Sequence, residues 1–523
     1  MRRLSAPALA ANLAALLILL LGASCRRATS TPLTGDLSGE SLQQTLEAMS
    51  LAEAPATSAP GEVFPQGTIP PLQPTDAPPP VLFPQTANFT PPPGAIEYQV
   101  RSGDTLAGLA GRFGVKPGQI VSALPLPDLG FLIPGQRVYI PDVLEGVTPP
   151  DLLLPDSELV YSPAAATFDV QRYVQEAGGF LSVYSESVAG RTLTGAQIVQ
   201  RVADELSVNP RLLLAFLEYR ARWVLGQPAP GASLDYPIGF EINGREGLYQ
   251  ELVITATQLN MVYYGWRKGN YTLIEFPDKT ARRLNPRLNA GSASLQNLMA
   301  IFYRESDWRL RVYGEQSFPV LYAEMFGDPW ERAARVEPLL PHDLQQPTLE
   351  LPFAPGETWH YSSGPHYSWN FGTPRGALDF SPTGKVELCA VSPQWITASA
   401  PGLVVRAAFN AVVLDLESDG FEQVGWALLY YHVAEEEMIP AGTQVAQDAP
   451  LGHPSCQGGR ATAAHVHLAR KYNGEWLPAD DIVPFVLSGW TVAGEGSYQG
   501  ALVKGEMIIP ANAYGSLSAL VRR

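Results

Sequence analysis

The strongest constraint on the fold is a change of sequence pattern near residue 350. Between about residues 160 and 340, apolar residues recur at the spacing of amphipathic α-helices. After residue 350, short runs rich in valine, isoleucine and aromatic residues alternate with glycine, proline and aspartate, which predicts antiparallel strands. The predicted helices are 196–205, 210–223, 248–267 and 294–308; the predicted strands are 395–398, 403–408, 411–416, 427–432, 445–446 and 465–472. The pattern predicts a multidomain α+β protein with a helical middle domain and a C-terminal antiparallel β domain.

The N-terminus has the pattern of an export signal. Residues 1–3 are basic, residues 8–21 are apolar but short for a membrane span, and small residues precede Cys25. Residues 1–25 resemble a bacterial lipoprotein signal, which implies that Cys25 is acylated and holds the protein on the outer face of the cell membrane or in the cell envelope. An ordinary cleaved signal and an uncleaved anchor are the alternatives, and each would also export the protein.

A proline-rich tract follows over residues 26–94, with prolines at 70–71, 78–80 and 91–93. Consecutive prolines fix φ and lack an amide donor, so the tract cannot form a regular helix or sheet. We therefore expect an extended linker that separates the folded domains from the N-terminal segment.

The spacing in residues 95–141 predicts a small βααβ module. Residues 97–100 and 137–140 have strand composition, residues 106–113 place apolar side chains on one helix face, and a second helical turn begins at Ile120. With V-x-x-G-D-T-L near its start and P-G-Q-x-x-x-I-P at its end, the segment resembles a LysM domain. The resemblance implies binding to N-acetylglucosamine-containing glycan of peptidoglycan or chitin, through the loop after the first strand and the loop before the last.

Six of the seven histidines lie in the last third of the chain. Alternation along a strand places His465 and His467 on one face. Asp379 lies in a short predicted strand, His366 in a turn-rich loop and His432 at a strand end. Two imidazoles and one carboxylate, with a fourth position left for water, form the ligand set of a catalytic zinc, and further imidazoles can transfer protons.

The motifs around these residues resemble those of the lysostaphin/LytM-type zinc endopeptidases, which cut peptide cross-links of bacterial cell walls. The shared features are Y-x-H ending at His432, Leu451-Gly452, and the H-x-H strand followed by Asn473-Gly474. Most of that family has H-x-G-x-D, whereas this chain has Arg375 and Ala377 before the aspartate, and the segment 364–380 instead resembles the beta-lytic branch. The resemblance implies the zinc ligands His366, Asp379 and His467 and the catalytic histidines His432 and His465.

The chain has three cysteines, Cys25, Cys389 and Cys456. If Cys25 carries lipid, the other two remain as a pair in an oxidising compartment. This predicts a disulfide that braces the loop before the H-x-H strand, with metal binding as the alternative role for the pair.

The predicted helix from Asn209 to Glu218 resembles the helix that carries the catalytic acid of lytic transglycosylases. Such an acid needs a raised pKa, whereas Arg220 and Arg222 would lower the pKa of a carboxyl that they approach. Residues 159–345 are therefore predicted to be a helical spacer or a degenerate transglycosylase-like domain.

Together these features predict an exported peptidoglycan hydrolase. Residues 350–480 would form a zinc endopeptidase that cleaves stem or cross-bridge peptides, followed by a C-terminal β extension over 481–523, and the LysM domain would direct the enzyme to the wall. The net charge of −16 argues against nucleic acid as a partner. The alternatives are an inactive wall-binding scaffold or amidase activator, and a glycosidase that uses Glu218.

Overall fold

The structure is a computed structural model that describes residues 89–384, 387–513 and 515–523. The predicted signal, the lipidation site Cys25 and most of the proline-rich tract lie outside these residues. Within them the protein is α+β, with a LysM module, a helical region and a C-terminal antiparallel β-sheet domain. Among the described residues, no helix combines the length and apolarity needed to cross a membrane.

The LysM module pairs strands β1 (Ala95–Gln99) and β2 (Arg137–Pro141) beside helix α1 (Leu106–Phe113). Helix α1 begins after Thr105, whose hydroxyl accepts from the amide of Gly108, a standard N-cap. The prediction of a second helix that begins at Ile120 is wrong, because the structure has a 3₁₀ turn over Pro117–Gln119 and no helix after it among the described residues of this module. The backbone of Val121 instead pairs with that of Tyr139, which draws the chain into an extended conformation.

The helical region contains α2 (Asp156–Leu159), α3 (Val170–Ala177), α4 (Gly195–Leu206), α5 (Pro210–Ala221), α6 (Leu248–Lys268), α7 (Ala290–Phe302), α8 (Glu305–Tyr313), α9 (Phe318–Phe326) and α10 (Pro329–Ala333), with hairpins β3 (Ser185–Val188)–β4 (Arg191–Thr194) and β5 (Leu273–Glu275)–β6 (Ala281–Arg283). The prediction of one helix over 294–308 is wrong, because Tyr303 and Arg304 are extended and separate α7 from α8. The break lets Trp308 pack in the core, where its indole N–H donates to the carbonyl of Gln296 at 2.9 Å.

The C-terminal domain is built on one large antiparallel sheet. Its strands are β7 (Thr358–Tyr367), β8 (Arg375–Pro382), β10 (Gly402–Ala408), β11 (Ala411–Asp415), β12 (Trp426–Tyr431), β13 (Gln444–Val445), β15 (Val466–Tyr472), β16 (Glu475–Trp476) and β21 (Leu520–Arg522). In the described part of the chain their order in the sheet is β13–β10–β11–β12–β15–β8–β7–β21, with β16 paired to β15. Smaller sheets pair β9 (Ile396–Thr397) with β14 (Pro450–Gly452), and join β17 (Val486–Leu487), β18 (Trp490–Gly496), β19 (Gln499–Lys504) and β20 (Met507–Pro510).

Both faces of the large sheet are buried. Val413 and Leu429 share a core with the helical region, whereas their neighbours Val412 and Leu428 share a second core within the C-terminal domain. Burial on both faces explains why the strands are nearly continuous apolar runs. Leu429 and Tyr431 are two residues apart on β12, so their side chains lie on the same face of the sheet. Tyr431 is the register partner of His467, which in turn pairs with Asp379. The helical region therefore covers the sheet face that also carries Asp379 and His467.

Arg267, near the end of α6, connects the LysM module, the helical region and the β domain. Its guanidinium donates to the carbonyl of Ser102 and lies 3.3 Å from Asp156 Oδ2 and 3.2 Å from Glu475 Oε2. The Ser102 hydroxyl also bonds the backbone of Leu340. The loop after the first LysM strand, predicted to contact glycan, is thus packed against the rest of the chain.

Candidate active site

The predicted site residues converge on neighbouring strands of the large sheet. Asp379 on β8 and His467 on β15 are register partners, and cross-strand partners place their side chains on one face. His465 lies just before β15, and its Nε2 is 3.7 Å from Asp379 Oδ2. The interpretation that His465 and His467 share one side of the strand agrees with this geometry.

The prediction that His366 lies in a turn-rich loop is wrong, because the residue lies within strand β7. The register shifts repeatedly here: Ser363 pairs with Asp379, whereas His366 pairs with Ala377. Between these pairs, two residues on β7, Gly364 and Pro365, stand opposite one on β8, Leu378, which is a β-bulge. Bulges re-aim side chains, and this one turns His366 toward the carboxylate of Asp379.

Three ligand atoms from His366, Asp379 and His467 meet in the buried centre of the site. His366 Nε2 lies 3.0 Å from His467 Nδ1 and 3.3 Å from Asp379 Oδ1, and His467 Nδ1 lies 3.4 Å from the same oxygen. Tetrahedral ligands about 2.0–2.2 Å from zinc are about 3.3–3.6 Å apart, close to these separations. Failure of His366 to converge with Asp379 and His467 would have favoured the inactive-scaffold alternative, and the three residues do converge.

The other ring nitrogens of the two histidines show why a cation fits this centre. His366 Nδ1 donates to the carbonyl of Gly364 at 3.0 Å, and His467 Nε2 donates to the carbonyl of Ser368 at 2.9 Å. In the neutral imidazoles, the two nitrogens that face each other are therefore both acceptors. Asp379 Oδ1, buried without a hydrogen-bond partner, joins them. Three converging acceptors with oriented second nitrogens are what a bound metal ion needs.

The carboxylate of Asp379 stays ionised although it is buried. Burial alone would raise its pKa, but the charges of His366 and His465 outweigh burial and hold the pKa well below its usual range. The centre therefore offers an anionic carboxylate to a bound cation.

His432 and His465 form a second pair of imidazoles, with ring centroids 4.5 Å apart. His432 Nδ1 donates to the carbonyl of Gln457 at 2.8 Å, and His465 Nδ1 donates to the carbonyl of Ala463 at 2.7 Å. Each neutral ring therefore carries its lone pair on Nε2. Burial, followed by the charges of His465 and His467, holds the pKa of His432 well below its usual range, so this ring is neutral and able to accept a proton.

Sequence reasoning missed the tyrosine that covers the site. The ring of Tyr498, at the turn between β18 and β19, stacks on His366 with centroids 4.8 Å apart and planes 17° apart. Its backbone is fixed by hydrogen bonds with Gly364 and Pro365 at 3.2 and 3.0 Å. A hairpin in the C-terminal extension thus forms part of the active-site wall, and no motif near Tyr498 signals this.

Glu218 has a structural role in the helical region. It is buried, and its Oε2 accepts from the amides of Val224 and Leu225, each at 2.9 Å. This carboxylate fixes the turn after α5, which is against the glycosidase alternative.

The structure contains the predicted disulfide between Cys389 and Cys456. The bond closes a loop across a sequence separation of 67 residues. It also fastens the segment that precedes Gln457, whose carbonyl orients His432.

Removing the Cys389–Cys456 disulfide is expected to lower the free energy of unfolding. A double variant, Cys389→Ser with Cys456→Ser, is expected to lose about 2–4 kcal/mol of unfolding free energy, because the unfolded chain regains the entropy of the open loop. Urea unfolding of the variant and of the oxidised wild type would measure the loss. An unchanged unfolding midpoint would contradict a stabilising role.

Comparison with known families identifies two regions of the chain. Residues 98–141 match the family model described as LysM domain, and residues 152–341 match the one described as LasA, N-terminal domain. The chain therefore contains a LysM domain followed by a LasA N-terminal domain. No curated protein sequence matches the chain.

Solved structures that are similar to part of the chain include peptidases. The M23 metalloprotease pseudoalterin from the deep sea is 21% identical over 32% of this chain and 96% of its own, with a TM-score of 0.27. The lysostaphin catalytic domain from Staphylococcus simulans is 21% identical over 24% and 89%, with a TM-score of 0.17. A zinc-containing peptidase from Vibrio cholerae is 13% identical over 26% and 40%, with a TM-score of 0.19.

Proposed function

We propose that the chain is an exported peptidoglycan hydrolase whose C-terminal domain is a zinc-dependent endopeptidase, which cleaves stem or cross-bridge peptides. The observation that carries the proposal is the convergence of three acceptor atoms, from His366, Asp379 and His467, beside the imidazole pair of His432 and His465. The match to the N-terminal domain of LasA, a staphylolytic M23 peptidase, supports the same class of enzyme.

In this proposal His366, Asp379 and His467 would hold the metal. Bound zinc would polarise a carbonyl and lower the pKa of a water molecule. Either His432 or His465, whose Nε2 atoms are acceptors, would take the proton from the attacking water and deliver it to the leaving amine. The carbonyls of Gln457 and Ala463 keep both rings in the tautomer that this transfer requires.

The LysM domain would direct the peptidase to wall glycan, and the N-terminal lipid or anchor would hold the protein at the outer face of the membrane. Because Arg267 and Leu340 bond the loop at Ser102, the LysM module is not a free tether. Glycan binding would then fix the orientation of the peptidase as well as raise the local substrate concentration.

Digestion of purified peptidoglycan tests the proposal. We expect new peptide amino termini in the fragments, because the enzyme hydrolyses amide bonds. They should disappear when a chelator removes the metal and return when zinc is added. Mass analysis of the fragments distinguishes the outcomes. Cleaved glycan with intact peptides, or cleavage that survives the chelator, would contradict the proposal.

A further inference from the structure

A loop over residues 456–464 lies at the mouth of the site, with both ends fastened to one neighbouring segment. Its start is held by the disulfide to Cys389, and its end is held by the amide of Ala464, which donates to the carbonyl of Leu388 at 2.6 Å. Because both ends are fixed, the crest of the loop has a defined position relative to the site.

Within this loop the backbone is shaped around the catalytic imidazoles. The carbonyls at its two ends, of Gln457 and Ala463, accept from His432 and His465. Gly459 approaches His432 and its neighbour Tyr431 so closely that a Cβ there would lie 3.1 Å from the Tyr431 hydroxyl and 3.4 Å from His432 Cε1. The next residue along the chain therefore follows a glycine that lies against His432.

That residue is Arg460, which is exposed. Across the residues that the structure describes, no carboxylate lies within ion-pair distance of it. An unpaired cation on a fixed loop is notable in a chain of net charge −16.

We propose that Arg460 is a specificity residue that binds a free carboxylate of the peptide substrate beside the scissile bond. A guanidinium suits this role, because its planar N–H donors can form a bidentate pair of hydrogen bonds with a carboxylate. The fixed loop also reduces the ordering cost of that contact. The inference rests on the proposed peptidase function and narrows its substrate to anionic wall peptides, rather than those whose carboxyls are amidated.

The test compares two synthetic stem peptides, one with free carboxylates and one with the same groups as carboxamides. Binding of each labelled peptide is measured by fluorescence anisotropy on the metal-free full chain, so the readout does not depend on catalysis. The wild type should bind the carboxylate peptide about 10- to 100-fold more tightly, as expected for a charge-assisted contact. Arg460→Met should remove this preference, and Arg460→Lys should retain part of it.

Arg335→Met is the matched control, because it removes the same charge from an exposed turn just after α10, where the arginine pairs with Glu331. It should leave the preference unchanged. Equal binding of the two peptides by the wild type, or a preference that survives Arg460→Met, would overturn the role of Arg460. The zinc-loaded enzyme is tested separately for cleavage: if it cuts neither peptide, the peptidase proposal fails, while the binding comparison still decides the role of Arg460.

Discussion

A His366→Ala variant is expected to lose stoichiometric zinc binding, and its peptidase activity should fall by at least about 10³-fold. The reason is geometric: the variant removes one of the three acceptors that face each other, and the remaining pair of His467 and Asp379 leaves an incomplete ligand set. Zinc content after dialysis against metal-free buffer gives the direct measurement, and peptide cleavage gives the second.

The matched control is His342→Ala. His342 is partly exposed at 45% of its side chain and lies outside the site, so its loss should change neither zinc content nor activity. Circular dichroism of the His366 variant would show that the fold persists. One zinc per chain in a folded His366→Ala protein would show that the ligand assignment is wrong.

The sequence indicated part of this grouping, because histidine is scarce in this chain and strand alternation is local. The period of two placed His465 and His467 on one face, whereas the roles assigned to these two histidines, to His432 and to Asp379 came from the motif resemblance. His366 was found by motif resemblance, but its local structure was not. A bulge is defined by the register between two strands, and the sequence of β7 alone does not contain the register with β8.

Residues that orient the site were harder to predict because they act through the backbone or come from distant segments. The carbonyls of Gln457 and Ala463 orient His432 and His465, and a carbonyl has no residue-type signature. Tyr498 reaches His366 from a hairpin in the C-terminal extension, whose position depends on the packing of the β18–β19 hairpin against β7. Neither contribution has a spacing that sequence periodicity could detect.

Helix prediction succeeded where one apolar stripe persisted and failed where burial changed the backbone. The stripe over 248–267 corresponds to α6, Leu248–Lys268. The stripe over 294–308 continues through Tyr303 and Arg304, yet these residues are extended so that Trp308 can bond Gln296. The energetic advantage of seating a large aromatic side chain outweighed local helix propensity.

The second large effect is expected at Arg267. Arg267→Met should lower the free energy of unfolding by about 3–5 kcal/mol, because it leaves the buried carboxylate of Glu475 and the partly buried carboxylate of Asp156 without their cation. Burial already raises the pKa of Glu475, and Arg267 is the largest influence that lowers it. The variant also removes the bond to Ser102, so hydrogen exchange should accelerate in the first loop of the LysM module.

Lys268→Met separates this effect from a general loss of charge on α6. Lys268 pairs with Asp481 at 3.6 Å, and both side chains are 37% exposed, so its loss should cost less than about 1 kcal/mol. Adding Glu475→Gln to Arg267→Met should restore part of the lost stability, since it neutralises a carboxylate that the first change leaves unpaired. Urea unfolding of all three variants makes the comparison. Equal losses at Arg267 and Lys268, or no recovery in the double variant, would mean that the buried ion pairs of Arg267 do not hold the three regions together.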